Sequence, residues 1–170
     1  MAIINNLQQQ EAVAKLKELA EDIDICLFCT HLDSNDGSTA RPMSTKKVDE
    51  EGNIYFISAK DSDKNREIEE DNRVQLYYSH PSKSSFLVVT GDASAFYDRQ
   101  EIEEVFSALD KTWFKEGKDD PNISIIKVKP VVAYYWDTKG NKMINFLKMI
   151  ASVATGKTLL DAEEGNLQVK

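Results

Sequence analysis

Short segments rich in Val, Ile, Tyr and Phe, parted by turn signals and interrupted by helices at the edges, predict a mainly β (α+β) fold built as a small antiparallel barrel. Three observations carry this reading. After a short helix, "RVQLYYSH" and the long "SSFLVVTGDASAFYD" read as strands parted by "PSKS". The turn-forming clusters "DSNDG" and "EEGN" separate successive strand patterns early in the chain. Gly91, inside the longest of these segments, predicts a bulge or bend, the device by which a sheet curls into a barrel.

The elements follow in order. "LQQQEAVAKLKELAEDI" places Leu7, Val13, Leu16, Leu19 and Ile23 near one helical face and predicts a helix over 7–20. "IDICLFCTHL", "STARPMSTKKVD" and "IYFISA" read as three antiparallel strands. A short helix near 63–71 precedes the two longer strand segments, which "PSKS" at 81–84 separates. "RQEIEEVFSALDKTWF" carries Ile102, Val105, Phe106 and Leu109 at helical spacing, and the polar loop "KEGKDDPN" follows. "ISIIKVK" and "VVAYYWDT" read as separate strands on either side of Pro130. The tail predicts an amphipathic helix over about 141–154, with "GNLQVK" as a short final strand.

A chain of 170 residues, 41% hydrophobic and 29% charged, suits a single domain with one buried core. The N-terminus lacks a basic segment followed by an apolar core, and no run approaches the roughly 18 apolar residues of a membrane span, so a soluble, cytoplasmic protein is expected. The net charge of −8 repels a polyphosphate backbone and argues against a nucleic-acid partner, yet two or three local cations suffice for one small phosphate ligand.

Several motifs lead nowhere. Cys26 and Cys29 form a C-x-x-C pair inside "IDICLFCTHL"; in a strand, positions three apart face opposite ways, so the pair reads as core thiols and no metal site is expected. "ATGKT" imitates the end of a phosphate-binding loop, but Ala151 stands where the leading glycine belongs, and a helix end capped by Gly156 explains it better. With only His31 and His80, and no G-x-S-x-G, hydrolytic machinery is not visible and no catalytic residue is assigned. The acidic runs, "EIEED" among them, read as solvated faces.

The stretch "FISAKDSDKNREIEED" differs. Lys64 falls in the first turn of a helix, whose positive end repels a lysine unless that lysine is solvated or shares an anion with the free amides. Ser58 ends the preceding strand, Ser62 suits the N-cap, and Arg66 follows within a turn. In "TARPMSTK" Pro42 removes a ladder amide, which makes this strand an edge or a bulge with exposed backbone beside Arg41. Arg41 and Lys64, if brought together, could clamp a phosphate; Arg41 is otherwise a surface cation beside an edge proline.

At these residues the sequence resembles the pyridoxamine 5'-phosphate oxidase-like flavin-binding split barrels, and within them the general stress protein 26 group. The resemblance rests on "RPMSTK" (41–46), "GNIYFIS" (52–58), "SDKNREIEEDNRVQL" (62–76), "VVTGDASAF" (88–96), "WFKEGKDDP" (113–121) and "YYWD" (134–137), in that order. It implies a six-stranded antiparallel split β-barrel with peripheral helices, and a homodimer with FMN in a cleft at the subunit interface; because a fold does not fix its ligand, FAD, a deazaflavin or haem is the alternative cofactor. It further implies that Arg41 and Lys64 bind the flavin phosphate with Ser58 hydrogen bonding nearby, and that Pro42, Met43 and Ser44 run alongside the isoalloxazine. Ile57 and Asp63 would flank the phosphate, and Trp136 would reach the flavin from the partner subunit.

The departures matter as much. "DTKGNKMINF" lacks the Arg-x-His element that follows the corresponding tryptophan in pyridoxamine phosphate oxidases, Phe86 replaces a glutamine beside the flavin, and Asp63 replaces a basic residue. The expectation is therefore an FMN-binding, stress-associated oxidoreductase or flavin reductase with a small-molecule redox partner, not a vitamin B6 oxidase. The alternative is a flavin-storing or sensing module without turnover. Trp113 and Phe114 either line the cleft or join the core.

Overall fold

The computed structural model describes residues 3–4, 7–33, 35, 37–138 and 162–168. The elements are β1 (Ile3–Ile4), β2 (Leu7–Gln8), α1 (Gln9–Ile23), β3 (Ile25–Thr30), β4 (Thr39–Ser44), β5 (Lys47–Val48), β6 (Ile54–Ala59), α2 (Asp63–Glu70), β7 (Arg73–His80), β8 (Ser85–Phe96), α3 (Arg99–Val105), β9 (Ile123–Thr138) and β10 (Ala162–Gln168). Two 3-10 turns, Ala108–Thr112 and Gly117–Asp119, join α3 to β9. The predicted helix over 141–154 and the Gly156 cap lie outside the described residues.

The strands form one curled sheet in the order β10-β9-β8-β7-β3-β4, antiparallel along this path, as the sequence predicts. β9 is long enough to hold β8 along one edge while β6 and β10 share the other. β1 and β2 add short parallel pairings to β10, which is why Leu7 leaves the predicted helix and α1 begins at Gln9. The segment predicted as one strand over "STARPMSTKKVD" is two: β4 pairs with β3, and after Thr45 the chain changes partner, so that β5 pairs with β6. The Thr45 amide donates to the Asp24 carbonyl (3.0 Å) and the Lys46 amide to the Tyr55 carbonyl (2.8 Å), drawing the two ends of the sheet together there. Among the described residues β4 pairs with β3 alone, and a split opens between β4 and β6.

The core sits inside the curl. Alternate residues of β3, β6, β7, β8 and β9 point inward, among them Phe28, Phe56, Leu76, Tyr78, Leu87, Val89, Ile126 and Tyr135, and α1 plugs one end with Leu16 and Leu19. Phe28 and Phe56 meet edge to face at 5.3 Å. Tyr55, Ile123 and Ile125 face the other way and are covered by Ile102 and Val105 of α3 and by Phe114. β6 and the first half of β9 are thus buried on both faces, which explains why "IYFISA" and "ISII" are nearly continuous apolar runs. Among the described residues, the rest of the sheet is covered on one face.

Two further predicted elements differ in the structure. The helix from Arg99 stops at Val105, because "SALD" forms its own capping box: Ser107 and Asp110 bond reciprocally to each other's backbone and start a new 3-10 turn. Leu109, counted on the helical face, is consequently 81% exposed. The two strands around Pro130 are one, β9, because the missing proline amide is absorbed at a bulge: Gly91 pairs with Pro130 and Thr90 with Val132, leaving Val131 over. A Cβ on Gly91 would lie 2.5 Å from the Lys129 carbonyl oxygen. Gly91→Ala should therefore destabilise the fold by about 1–3 kcal/mol through overpacking. Urea denaturation checks this, and an unchanged midpoint would mean that the bulge has room to adjust.

Candidate functional site

The split between β4 and β6 holds a cleft of about 530 Å³. One wall is Arg41, Pro42, Met43 and Ser44 of β4, and the other is Ile57, Ser58 and Ala59 of β6. Lys64 enters from α2, while Asp110, Trp113 and Phe114 line it from the segment after α3. Seven of the nine residues that the sequence points to are therefore brought together. Pro42 lies on an edge strand, as its missing amide requires. Phe114 is buried and Trp113 is 81% exposed, so the two aromatics divide between core and cleft rim.

Lys64 is held there by a buried polar network beneath it. The Ser58 hydroxyl donates to Asn65 Oδ1 (2.8 Å), Asn65 Nδ2 donates to Ser124 Oγ (2.9 Å), and the Ser124 hydroxyl donates to the Ser58 carbonyl (3.1 Å). All three side chains are buried and satisfied, which ties the first turn of α2 to β6 and β9. Ser62 occupies the N-cap position without capping the helix through its side chain; its hydroxyl lies 3.2 Å from Ser58 Oγ instead. The amides of Asn65 (3.1 Å) and Arg66 (3.3 Å) both donate to the Ser62 carbonyl, so the amides of Asp63 and Lys64 precede the ladder and sit at the positive end of the helix.

Half-buried Lys64 forms no ion pair or hydrogen bond among the described residues. Burial first, and then the charge of Arg41, hold its ammonium below the ordinary lysine value. Arg41 is differently placed. Its guanidinium donates to Thr30 Oγ1 (2.8 Å) and to Glu67 Oε2 (2.7 Å), and Thr30 Oγ1 donates to the same carboxylate oxygen at 2.5 Å. Burial would raise the Glu67 carboxyl, but the Thr30 hydroxyl and the Arg41 guanidinium outweigh it and hold the group below the ordinary carboxylate value. Asp63 is exposed on the outside of α2, paired with Arg66, and does not line the cleft.

Trp136 also lies elsewhere. With Phe86, Val88 and Tyr134 it lines an apolar depression on the outer face of β8 and β9. Register carries this face across the sheet, through Tyr134, Val88, Tyr77 and Leu27, side by side and all but Val88 among the exposed large hydrophobics. The thiols of Cys26 and Cys29 are buried in β3, and burial pushes that of Cys26 up to about 12.

Sequence reasoning missed three groups here. Glu67 was hidden in "EIEED", read as a solvated face, although its side chain is only 13% exposed; its place one helical turn after Lys64 is the signal. Lys46 lines the cleft and pairs with Asp110 at 2.7 Å, both nearly buried. Their separation in sequence leaves no local trace.

The Arg41–Glu67 pair generates a prediction with a definite sign. A carboxyl with a depressed folded value stabilises the fold above its unfolded value of 4.5, and that contribution disappears as the pH falls through the lower folded value. Glu67→Gln should lose about 1–3 kcal/mol at pH 7, with the gap to wild type narrowing below about pH 4.5. Thermal melts across this range check it; a gap independent of pH would mean that the charge of Glu67 does not contribute.

With this geometry in hand, similarity to known proteins can be placed. Residues 11–161 match the family described as pyridoxamine 5'-phosphate oxidase like. A general stress protein 26 from Jannaschia sp. CCS1 superposes with a TM-score of 0.77 at 20% identity, covering 93% of this chain and 98% of that one. The general stress FMN/FAD binding protein of Xanthomonas citri gives 0.66 at 20% identity, covering 78% and 93%. The Protein bli-3 of Neurospora crassa is 25% identical over 112 residues, 61% of this chain, and the match spans about half (54%) of that relative. A curled antiparallel barrel split between β4 and β6 and a family match over nearly the whole chain lead to one statement: the protein belongs to the pyridoxamine 5'-phosphate oxidase-like family.

Proposed function

We propose that the cleft binds FMN and that the protein works as a flavin-dependent oxidoreductase or flavin reductase. The observation that carries this reading is Lys64: a half-buried ammonium that forms no ion pair or hydrogen bond among the described residues, beside a second cation and the two amides that precede the ladder of α2. Leaving such a charge uncompensated is unfavourable, and a phosphate dianion would compensate it. The cleft volume lies within the range of roughly 300–1,000 Å³ usual for small-ligand sites, and the Xanthomonas citri relative binds FMN or FAD.

In this reading Lys64 and the amides at the start of α2 hold the phosphate. Arg41, already anchored by Thr30 and Glu67, offers its remaining N–H groups in a fixed orientation, and Ser58 backs the site through Asn65. Pro42, Met43 and Ser44 flank the isoalloxazine along the open edge of β4. Ile57 and Asp63 stand on either side of the phosphate end, Asp63 from the outside of α2. Bound flavin supplies hydride and electron transfer, so the protein has to orient the ring, control access and admit a small-molecule redox partner. Trp136 serves the partner's cleft: the exposed apolar face it shares with Phe86 and Tyr134 suits burial against a second copy of the chain. Among the described residues no helix is long and apolar enough to cross a membrane.

Purified protein should show a flavin spectrum or take up FMN and sediment as a dimer, and Lys64→Glu should weaken FMN binding by at least a hundredfold. Flavin content unchanged in that variant would remove Lys64 from the site. Loaded protein should oxidise NADH or NADPH with a quinone or dye as acceptor, whereas firm FMN binding without turnover would assign it as a flavin carrier or sensor.

A further inference from the structure

We propose that a second cavity, between α3 and the two 3-10 turns, is a binding site for the adenosine diphosphate portion of a dinucleotide. This rests on the flavin reading only for the identity of its neighbour. The cavity measures about 570 Å³, comparable with the cleft. Four cations line it, Arg99, Lys111, Lys115 and Lys118, against two carboxylates, in a chain whose net charge is −8. Such a local reversal of sign attracts an anion that the rest of the surface repels.

The four cations fall into two kinds. Arg99 and Lys118 brace the wall: Arg99 bonds Glu103 (2.8 Å), Asp119 (2.7 Å) and the Lys118 carbonyl (2.7 Å), and Lys118 donates to the Glu103 carbonyl (3.1 Å). These bonds fix the second 3-10 turn, Gly117–Asp119, to α3. Lys111 and Lys115 have no ion pair or hydrogen bond among the described residues. Both are exposed and stand opposite this braced wall, Lys111 on the first 3-10 turn and Lys115 between the two turns. Phe106, half-buried at the base, offers an apolar surface on which a purine can rest. A pyrophosphate with an adjoining aromatic ring matches two free ammonium groups beside an apolar floor better than an inorganic anion does.

The position argues for a dinucleotide. Ser107 lines this cavity, and its hydroxyl donates at 2.7 Å to Asp110, which lines the flavin cleft and pairs there with Lys46. One 3-10 turn therefore forms a wall common to both spaces. Two sources share the ligand chemistry: the adenylate half of FAD, its flavin in the cleft, or that of a nicotinamide dinucleotide delivering reducing equivalents to it.

Calorimetric titration of the whole protein with ADP tests the proposal, with FMN titrated separately. The double variant Lys111→Glu/Lys115→Glu should weaken ADP binding at least tenfold while FMN affinity stays within twofold and the melting temperature is unchanged. Lys17→Glu, on α1, controls for general charge and should leave ADP binding intact. Absence of ADP binding to wild type, or a loss no greater in the double variant than in Lys17→Glu, overturns the proposal. Loss of FMN binding with ADP binding retained sinks the flavin reading alone. Displacement of ADP by FAD assigns the cavity to the cofactor, and displacement by NADH or NADPH assigns it to the donor.

Discussion

The structure depends on a sheet that is prevented from closing. Among the described residues β4 hydrogen bonds to β3 and to no strand on its other side, since the chain changes partner after Thr45 and pairs with β6 at Lys47 and Val48. Pro42 reinforces the opening by removing an amide from the strand. Full closure would satisfy the edge of β4 and erase the cleft. The bulge at Gly91 provides the complementary bend, curling β8 and β9 enough to bring β6 opposite β4. Core packing and site are thus consequences of one topological choice.

Electrostatics then specialise the opening. In a chain carrying eight excess negative charges, the cleft gathers Arg41, Lys46 and Lys64. Glu67 neutralises Arg41, Asp110 neutralises Lys46, and only Lys64 is left without a counter-ion among the described residues. In the proposed flavin site this pattern separates positioning from binding: the paired cations are orientated in advance, and Lys64 keeps its attraction for an incoming anion. A lysine at the positive end of a helix, unexplained by local propensity, acquires a reason.

Much of this was legible in the sequence. β-branched and aromatic runs gave the strands, Gly91 gave the bulge, Pro42 the edge and Lys64 the anomaly, because each is a local signal. The errors are equally physical. The capping box at Ser107 and Asp110 overrode an apolar periodicity that runs on to Leu109, and the bulge at Val131 absorbed a proline that normally ends a strand. Thr30, Glu67 and Asn65 remained invisible as site residues, since their roles arise only when β3, α2 and β9 meet. The outer apolar face through Leu27, Tyr77 and Tyr134 left no reading in the sequence, since it forms only when β3, β7, β8 and β9 come into register.

The central claim is that two cations and a helix end stabilise a phosphate dianion in the split. Phosphorus NMR of protein-bound FMN measures that directly. A free phosphate monoester takes up its second proton near a pH of about 6. The account predicts that the bound resonance keeps its dianion position well below that pH. A bound resonance that titrates like free FMN would contradict it.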